Sequence, residues 1–166
     1  MTEAIRILGI DPGLRHTGWG VIEQQGSRLS HIANGVIRID PQLSLAARLG
    51  GIHHHITALA AEYTPDCAGI EETLVNANPR SALKLGQARG AAMAALHGAG
   101  LDAHEYSPRT IKLAIVGTGG ADKAQVAFMV ARLLPAAGKL ASDAADALAC
   151  AICTAHHVTT RQRGAA

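Results

Sequence analysis

The sequence predicts an α/β domain built on a mixed five-stranded sheet, three strands antiparallel and two added in parallel, with helices on its faces. Three observations predict it. The first third of the chain carries three short apolar runs joined by turn residues; a long amphipathic stripe follows; then strand and helix patterns alternate. A hydrophobic content of 48% against 17% charged places the 166 residues among globular chains. Aromatics are only 2%, so the core must be made of Leu, Ile, Val and much Ala, side chains small enough for close packing.

Residues 4–10 (AIRILGI) form an apolar run stopped by Asp11-Pro12-Gly13 and read as a buried strand, because Pro12 cannot donate to a ladder and Gly13 permits a turn. Residues 17–24 and 29–39 read as two more strands joined around Gln25-Gly26-Ser27. A helix is expected over 43–63, with Leu45, Leu49, Ile52, Ile56, Leu59 and Tyr63 along one face. Residues 66–71 give a strand after the Thr64-Pro65 break, and 80–98 an Ala-rich helix. A short strand follows at 102–106, then a helix capped by Ser107 with Pro108 in its first turn. Asp122 and Gln125 have capping-box spacing ahead of a helix at 123–134. The last helix is expected from Ser142 to about His157. One domain is therefore expected over 1–158, followed by a flexible tail at 159–166.

The formal charge of +2 conceals an acidic first half and a basic second half. Residues 1–79 hold 5 Lys/Arg against 8 Asp/Glu, and residues 80–166 hold 10 against 5. That division suits a protein that grips a polyanion with one part and helps hold cations with another. Cys67, Cys150 and Cys153 are too few for a disulfide scaffold. The start MTEAIRILGI lacks the features of a signal peptide, and no apolar run is long enough for a membrane span, so a soluble cytoplasmic protein with no membrane partner is expected.

Asp11 and Glu71 each close an apolar strand, and ligands of open α/β sheets collect beyond the carboxyl ends of strands. Asp143 and Asp146 are three apart at a helix start and share a face. Hard cations such as Mg²⁺ prefer such oxygen donors. Ordinary roles also fit each acid: Asp11 as a turn residue, Asp143 as a helix cap, Asp146 as a partner of the helix dipole. Glu72 stands beside Glu71, and the residues alone do not choose between them.

Taken in order, ILGIDPGLRHTGWGVIE, GIEE, SALKLGQARGA and SDAADALA resemble the RuvC family of Holliday junction resolvases, over roughly residues 5–157. The resemblance implies a ribonuclease H-like fold, a homodimer, two Mg²⁺ (or Mn²⁺) per active site, and paired symmetric nicks in a four-way DNA junction that leave 5′-phosphate and 3′-hydroxyl ends. It assigns the catalytic, metal-binding positions to Asp11, Glu71, Asp143 and Asp146, with Asp11 bridging both ions. It also implies cooperation with a branch-migration motor.

The resemblance places Lys112 and Lys123 near the scissile phosphate. Arg80, Lys84 and Arg89, on the helix after Glu71, are further candidate DNA contacts; Arg80 and Lys84 share a face that can follow a phosphate backbone, and a merely solvated face is the ordinary reading of all three. Leu74 stands where some members carry an aromatic wedge; leucine can separate base steps but offers no ring for stacking. Asn76 and Asn78 in the same loop can read bases or serve ordinary turn roles. His53, His54 and His55 fan out at about 100° per residue and cannot converge on one ion. Cys150 and Cys153 read as buried small hydrophobes, and Gly86 and Gly90 as a smooth face for a core or subunit contact. An actin-like ATPase also opens with a strand ending in Asp-x-Gly, but those folds are built from two related lobes and leave the DAADALA helix unexplained. A junction-binding protein without cutting activity and a nuclease acting on RNA hybrids or recombination ends are the remaining competitors.

Overall fold

The computed structural model describes residues 3–72 and 78–164. The N-terminal third forms an antiparallel meander of β1 (Ile5–Asp11), β2 (His16–Gln25) and β3 (Arg28–Arg38). The long α1 (Leu45–Tyr63) then leads to β4 (Cys67–Glu71), and α2 (Pro79–Gly98) to β5 (Ala103–Tyr106). Both later strands run parallel to β1, giving the order β3-β2-β1-β4-β5. The chain ends in α3 (Pro108–Val116), α4 (Lys123–Leu133), a short 3-10 turn and α5 (Ser142–Gly164). The expected element order and strand directions are all present.

Local chemistry sets the helix starts. Ser44, Asn78, Ser107 and Asp122 each accept hydrogen bonds from first-turn N–H groups of α1 to α4, which would otherwise lack partners. At α4 the capping box is complete: Gln125 N donates to Asp122 Oδ1, and Asp122 N to Gln125 Oε1, both at 2.8 Å.

Strand alternation sorts the core onto two faces. Leu8, Ile10, Val21 and Ile70 pack under α1 and α2 with Ile52, Ile56, Leu59, Ala88, Ala92 and Leu96. Ile7, Ile22, Cys67 and Tyr106 face α3, α4 and α5. The expected α1 stripe is buried at Ile52, Ile56 and Leu59, but Leu45 is 41% exposed. All of residues 40–47 are exposed, so α1 begins in solvent and meets the sheet only from Arg48 onward. Gly86 and Gly90 have nothing within 4 Å of where a Cβ would stand and make no core contact.

Contact between α5 and the sheet is unusually close. A Cβ at Gly9 would strike the Ala147 carbonyl and lie 2.7 Å from Ala151 N; one at Gly18 would strike the Asp143 carbonyl; one at Gly69 would strike Thr154 Oγ1. With Ala144, Ala147, Ala151 and Ala155 buried on the helix side, small residues on both surfaces let α5 lie almost on the strand backbones. Few aromatics are needed for such a core. The helix also continues to Gly164, past the expected end near His157.

Candidate active site

The backbone register brings the first two carboxylates together. Gly9 pairs with Gly69 and Ile10 with Ile70 in the parallel β1–β4 ladder, so the strands end side by side at Asp11 and Glu71. Alternation then points both side chains to the α5 face, since Ile7, Gly9, Cys67 and Gly69 contact that side. Glu72, one residue on, is exposed, and its main-chain N–H donates to the Tyr106 carbonyl at 2.8 Å. Register and alternation therefore choose Glu71 over Glu72 as the acid that faces Asp11.

The second pair arrives from α5. Because Gly18 has no side chain, the first turn of the helix settles against β2, beside the β1 residue paired with it, Asp11. Oxygens of Asp11, Asp143 and Asp146 lie within 4.8 Å of one another, and among the described residues this is the one acidic, His or Cys group with metal-binding spacing. Glu71 flanks the trio from β4 and shares a side-chain hydrogen bond with Asp11. The loop after Asp11 is clipped by Thr17, whose hydroxyl donates to the Gly13 carbonyl at 2.8 Å and accepts from Gly13 N at 3.2 Å.

Burial and repulsion push the Asp11 carboxyl up to about 8, the neighbours responsible being Glu71, Asp146 and Asp143, while Lys123 pulls the other way. Glu71 is raised by burial first and Asp146 next, with its hydrogen bond to Asp11 and then Lys123 and Lys112 opposing. Lys123, the first residue of α4, places Nζ 2.9 Å from Asp146 Oδ2, and this contact raises its own pKa. Lys112 of α3 lines the same cavity of about 230 Å³, together with Glu71, Lys123, Asp146, Pro108, Ile111, Val126 and Ala149. Two of the four carboxylates, Glu71 and Asp146, thus line this half-buried hollow with the two ammonium groups, and Asp11 and Asp143 cluster against Asp146. Clustered negative charge with hard oxygen donors is the chemistry that a divalent cation relieves, so the residues fit one.

The other expected contacts are scattered. Arg80 and Lys84 stand exposed on α2, and Lys84 lines a shallow groove with Leu14, Arg15, Arg48 and Ser81. Arg89 is different: its side chain is only 18% exposed and is engaged inside the protein. The Asn78 side-chain oxygen accepts from Arg80 N and Ser81 N, the helix-capping role. Leu74 and Asn76 lie outside the described residues. His53, His54 and His55 are all exposed and do not converge, and Cys150 and Cys153 are free and fully buried, as the helical spacing indicates. Sequence reasoning passed over Gly18, Gly69, Thr17 and Arg48, whose Nη2 donates to the Leu14 carbonyl at 3.3 Å. Period-two small residues at Gly18 and Gly20 were the available signal for the first of these.

Comparison with known proteins shows the family and the fold. The family model described as crossover junction endodeoxyribonuclease RuvC matches residues 7–154. A protein of that name from Hyphomonas neptunium is 67% identical over the full length of both chains, and one from Rhodospirillum rubrum is 58% identical over 92% of this chain and 90% of its own. The solved structure of Thermus thermophilus RuvC in complex with a Holliday junction substrate is 32% identical, with a TM-score of 0.86 over 93% of this chain and 94% of that one. The mixed sheet is accordingly the ribonuclease H-like fold that the sequence resemblance implied. The chain belongs to the RuvC family of crossover junction endodeoxyribonucleases, the enzymes that resolve Holliday junctions by cutting DNA.

Proposed function

We propose that this enzyme binds four-way junction DNA and nicks it symmetrically at the site formed by Asp11, Glu71, Asp143 and Asp146. The observation that carries this reading is the clustering of four carboxylates from β1, β4 and α5, two of which, Glu71 and Asp146, line a hollow with Lys112 and Lys123. The four acids would hold two Mg²⁺, with Mn²⁺ as a substitute. When bound, such ions stabilise the attacking and leaving oxygens of a phosphodiester.

The chain's own groups do the rest. Lys123 and Lys112 bring positive charge to the scissile phosphate, where a partly buried site makes it count for more than in water. Ile111, Val126 and Ala149 give the hollow an apolar wall beside the charged groups. Arg80 and Lys84 follow the backbone of an arm along α2, while Leu74, Asn76 and Asn78 are the candidates for contacting bases at the crossover. Two such sites related by a two-fold axis would produce paired nicks, which calls for a homodimer. The exposed Leu83, with Gly86 and Gly90 on the same side of α2, supplies a flat face for a second copy. Resolution of this kind belongs downstream of a branch-migration motor.

The test compares a synthetic four-way junction, a linear duplex and an RNA–DNA hybrid, each with Mg²⁺ or EDTA. Symmetric, Mg²⁺-dependent nicks confined to the junction are expected. Preferential cutting of the hybrid would replace this reading with a general ribonuclease H-like nuclease, and junction binding without any nicks would leave only a binding protein.

A further inference from the structure

On the sheet face opposite the hollow, α2 sends a guanidinium to the end of β4. Arg89 Nε donates to the Glu71 main-chain carbonyl at 3.1 Å, and Nη2 lies 3.2 Å from Glu105 Oε2. Glu105 stands beside Ile70 in the β4–β5 ladder, and Tyr106 beside Glu71. One side chain therefore ties α2, β4 and β5 at the residue whose carboxylate enters the hollow. The guanidinium hydrogen-bonds the carbonyl through Nε while Nη2, without a hydrogen bond of its own, pairs in charge with the carboxylate; a lysine ammonium is a single point charge and does not span both groups in this planar geometry.

We propose that Arg89 is a positioning residue for Glu71: by fixing the Glu71 carbonyl from behind, with Glu105 as its anchor, it sets the direction in which the Glu71 carboxylate meets Asp11. The peptide carbonyl and the side chain leave neighbouring atoms of the same residue, so a carbonyl held in place limits rotation of the strand end. β4 stops at Glu71, where the Glu72 N–H holds the chain to the Tyr106 carbonyl of β5 and Arg89 adds a second hold from α2 on the Glu71 carbonyl. The guanidinium, mostly buried and already engaged, is correspondingly a poor phosphate contact. This inference rests on the reading that Glu71 belongs to the cutting site.

The experiment uses the full-length protein with Arg89→Met, Arg89→Lys and Glu105→Gln. Three quantities are measured: junction affinity in EDTA, the single-turnover nicking rate at saturating protein, and the rise in Tm on adding Mn²⁺ without DNA. Both Arg89 variants should lose about tenfold or more in saturated rate, as small misplacements of reacting groups do. Both should also show a smaller Mn²⁺-induced rise in Tm, with EDTA junction affinity unchanged. Glu105→Gln should move rate and Tm response in the same direction by less, and its exposed position keeps it folded should Arg89→Met fail to fold. An unchanged saturated rate and Mn²⁺ response in the variants would overturn the proposal. So would weakened EDTA affinity with a wild-type saturated rate, the behaviour of a phosphate contact. If the wild type itself does not nick the junction, the proposed function fails, while the Mn²⁺ response still decides the role of Arg89.

Discussion

Lys123 Nζ sits 2.9 Å from Asp146 Oδ2, so the first residue of α4 is an internal counter-ion for the first turn of α5. The capping box of Asp122 and Gln125 fixes where that ammonium starts. In the metal-free protein it occupies a carboxylate that a divalent cation also seeks. Lys123→Met should therefore bind Mn²⁺ at least as tightly as the wild type in titration calorimetry without DNA. The same variant should nick a junction about a hundredfold more slowly, the scale on which removing one preorganised group that stabilises developing transition-state charge slows a reaction. Weaker Mn²⁺ binding with a normal rate would contradict both roles.

Asp11 makes metal-free stability depend on pH. Its folded pKa of about 8 lies above the ordinary 3.8, so between these values the folded chain holds a proton that the unfolded chain has released. The stabilisation is fully present below about pH 4 and is lost as pH rises through 8. Asp11→Asn removes this dependence and should raise Tm in EDTA by a few degrees at pH 8 while changing it little at pH 4. Thermal melts of both proteins across that window check it, and parallel curves would refute it. Metal uptake at pH 7 should also release protons, seen as a dependence of the apparent binding enthalpy on buffer.

Gly18 lets α5 settle on β2, because a Cβ there would strike the Asp143 carbonyl. Gly18→Ala should cost about 1–3 kcal/mol of stability in denaturant titration, the range for overpacking a close contact. Nicking should fall with it, since Asp143 and Asp146 ride on the displaced turn. A stable variant of normal rate would show that α5 can shift without harm to the site.

Arg80 and Lys84 are exposed on one side of α2. Replacing either with Ala should weaken junction binding in EDTA and lower the slope of log affinity against log salt by about one. The saturated nicking rate should be unchanged. A loss confined to the rate would move these residues from gripping DNA to the cutting step.

Much of this was legible in the sequence, for physical reasons that differ by residue. Asp11 and Glu71 could be placed at strand ends because apolar runs stop there, and the caps at Ser107 and Asp122 announce themselves by type and spacing. Glu71 could not be separated from Glu72 by its residues, because facing depends on the pairing of β1 with β4, which no local pattern encodes. Arg89 was grouped with the exposed cations of α2 because that helix buries Ala88, Ala92 and Ala95. Alanine reads alike on either face, so it does not reveal which side turns inward. Leu45 continued a regular stripe, yet a stripe does not say where the sheet beneath it begins. The approach of α5 to Gly18 and Gly69 is a long-range contact, visible only once the helix is docked.

The most direct measurement of the central claim is single-turnover nicking of a four-way junction in Mg²⁺ by the wild type and by Asp11→Asn, Glu71→Gln, Asp143→Asn and Asp146→Asn, with junction affinity measured in EDTA alongside. Paired nicks with 5′-phosphate ends are expected from the wild type, and loss of cutting with retained binding in all four variants. Near-wild-type cutting by any one of them would remove that carboxylate from the site.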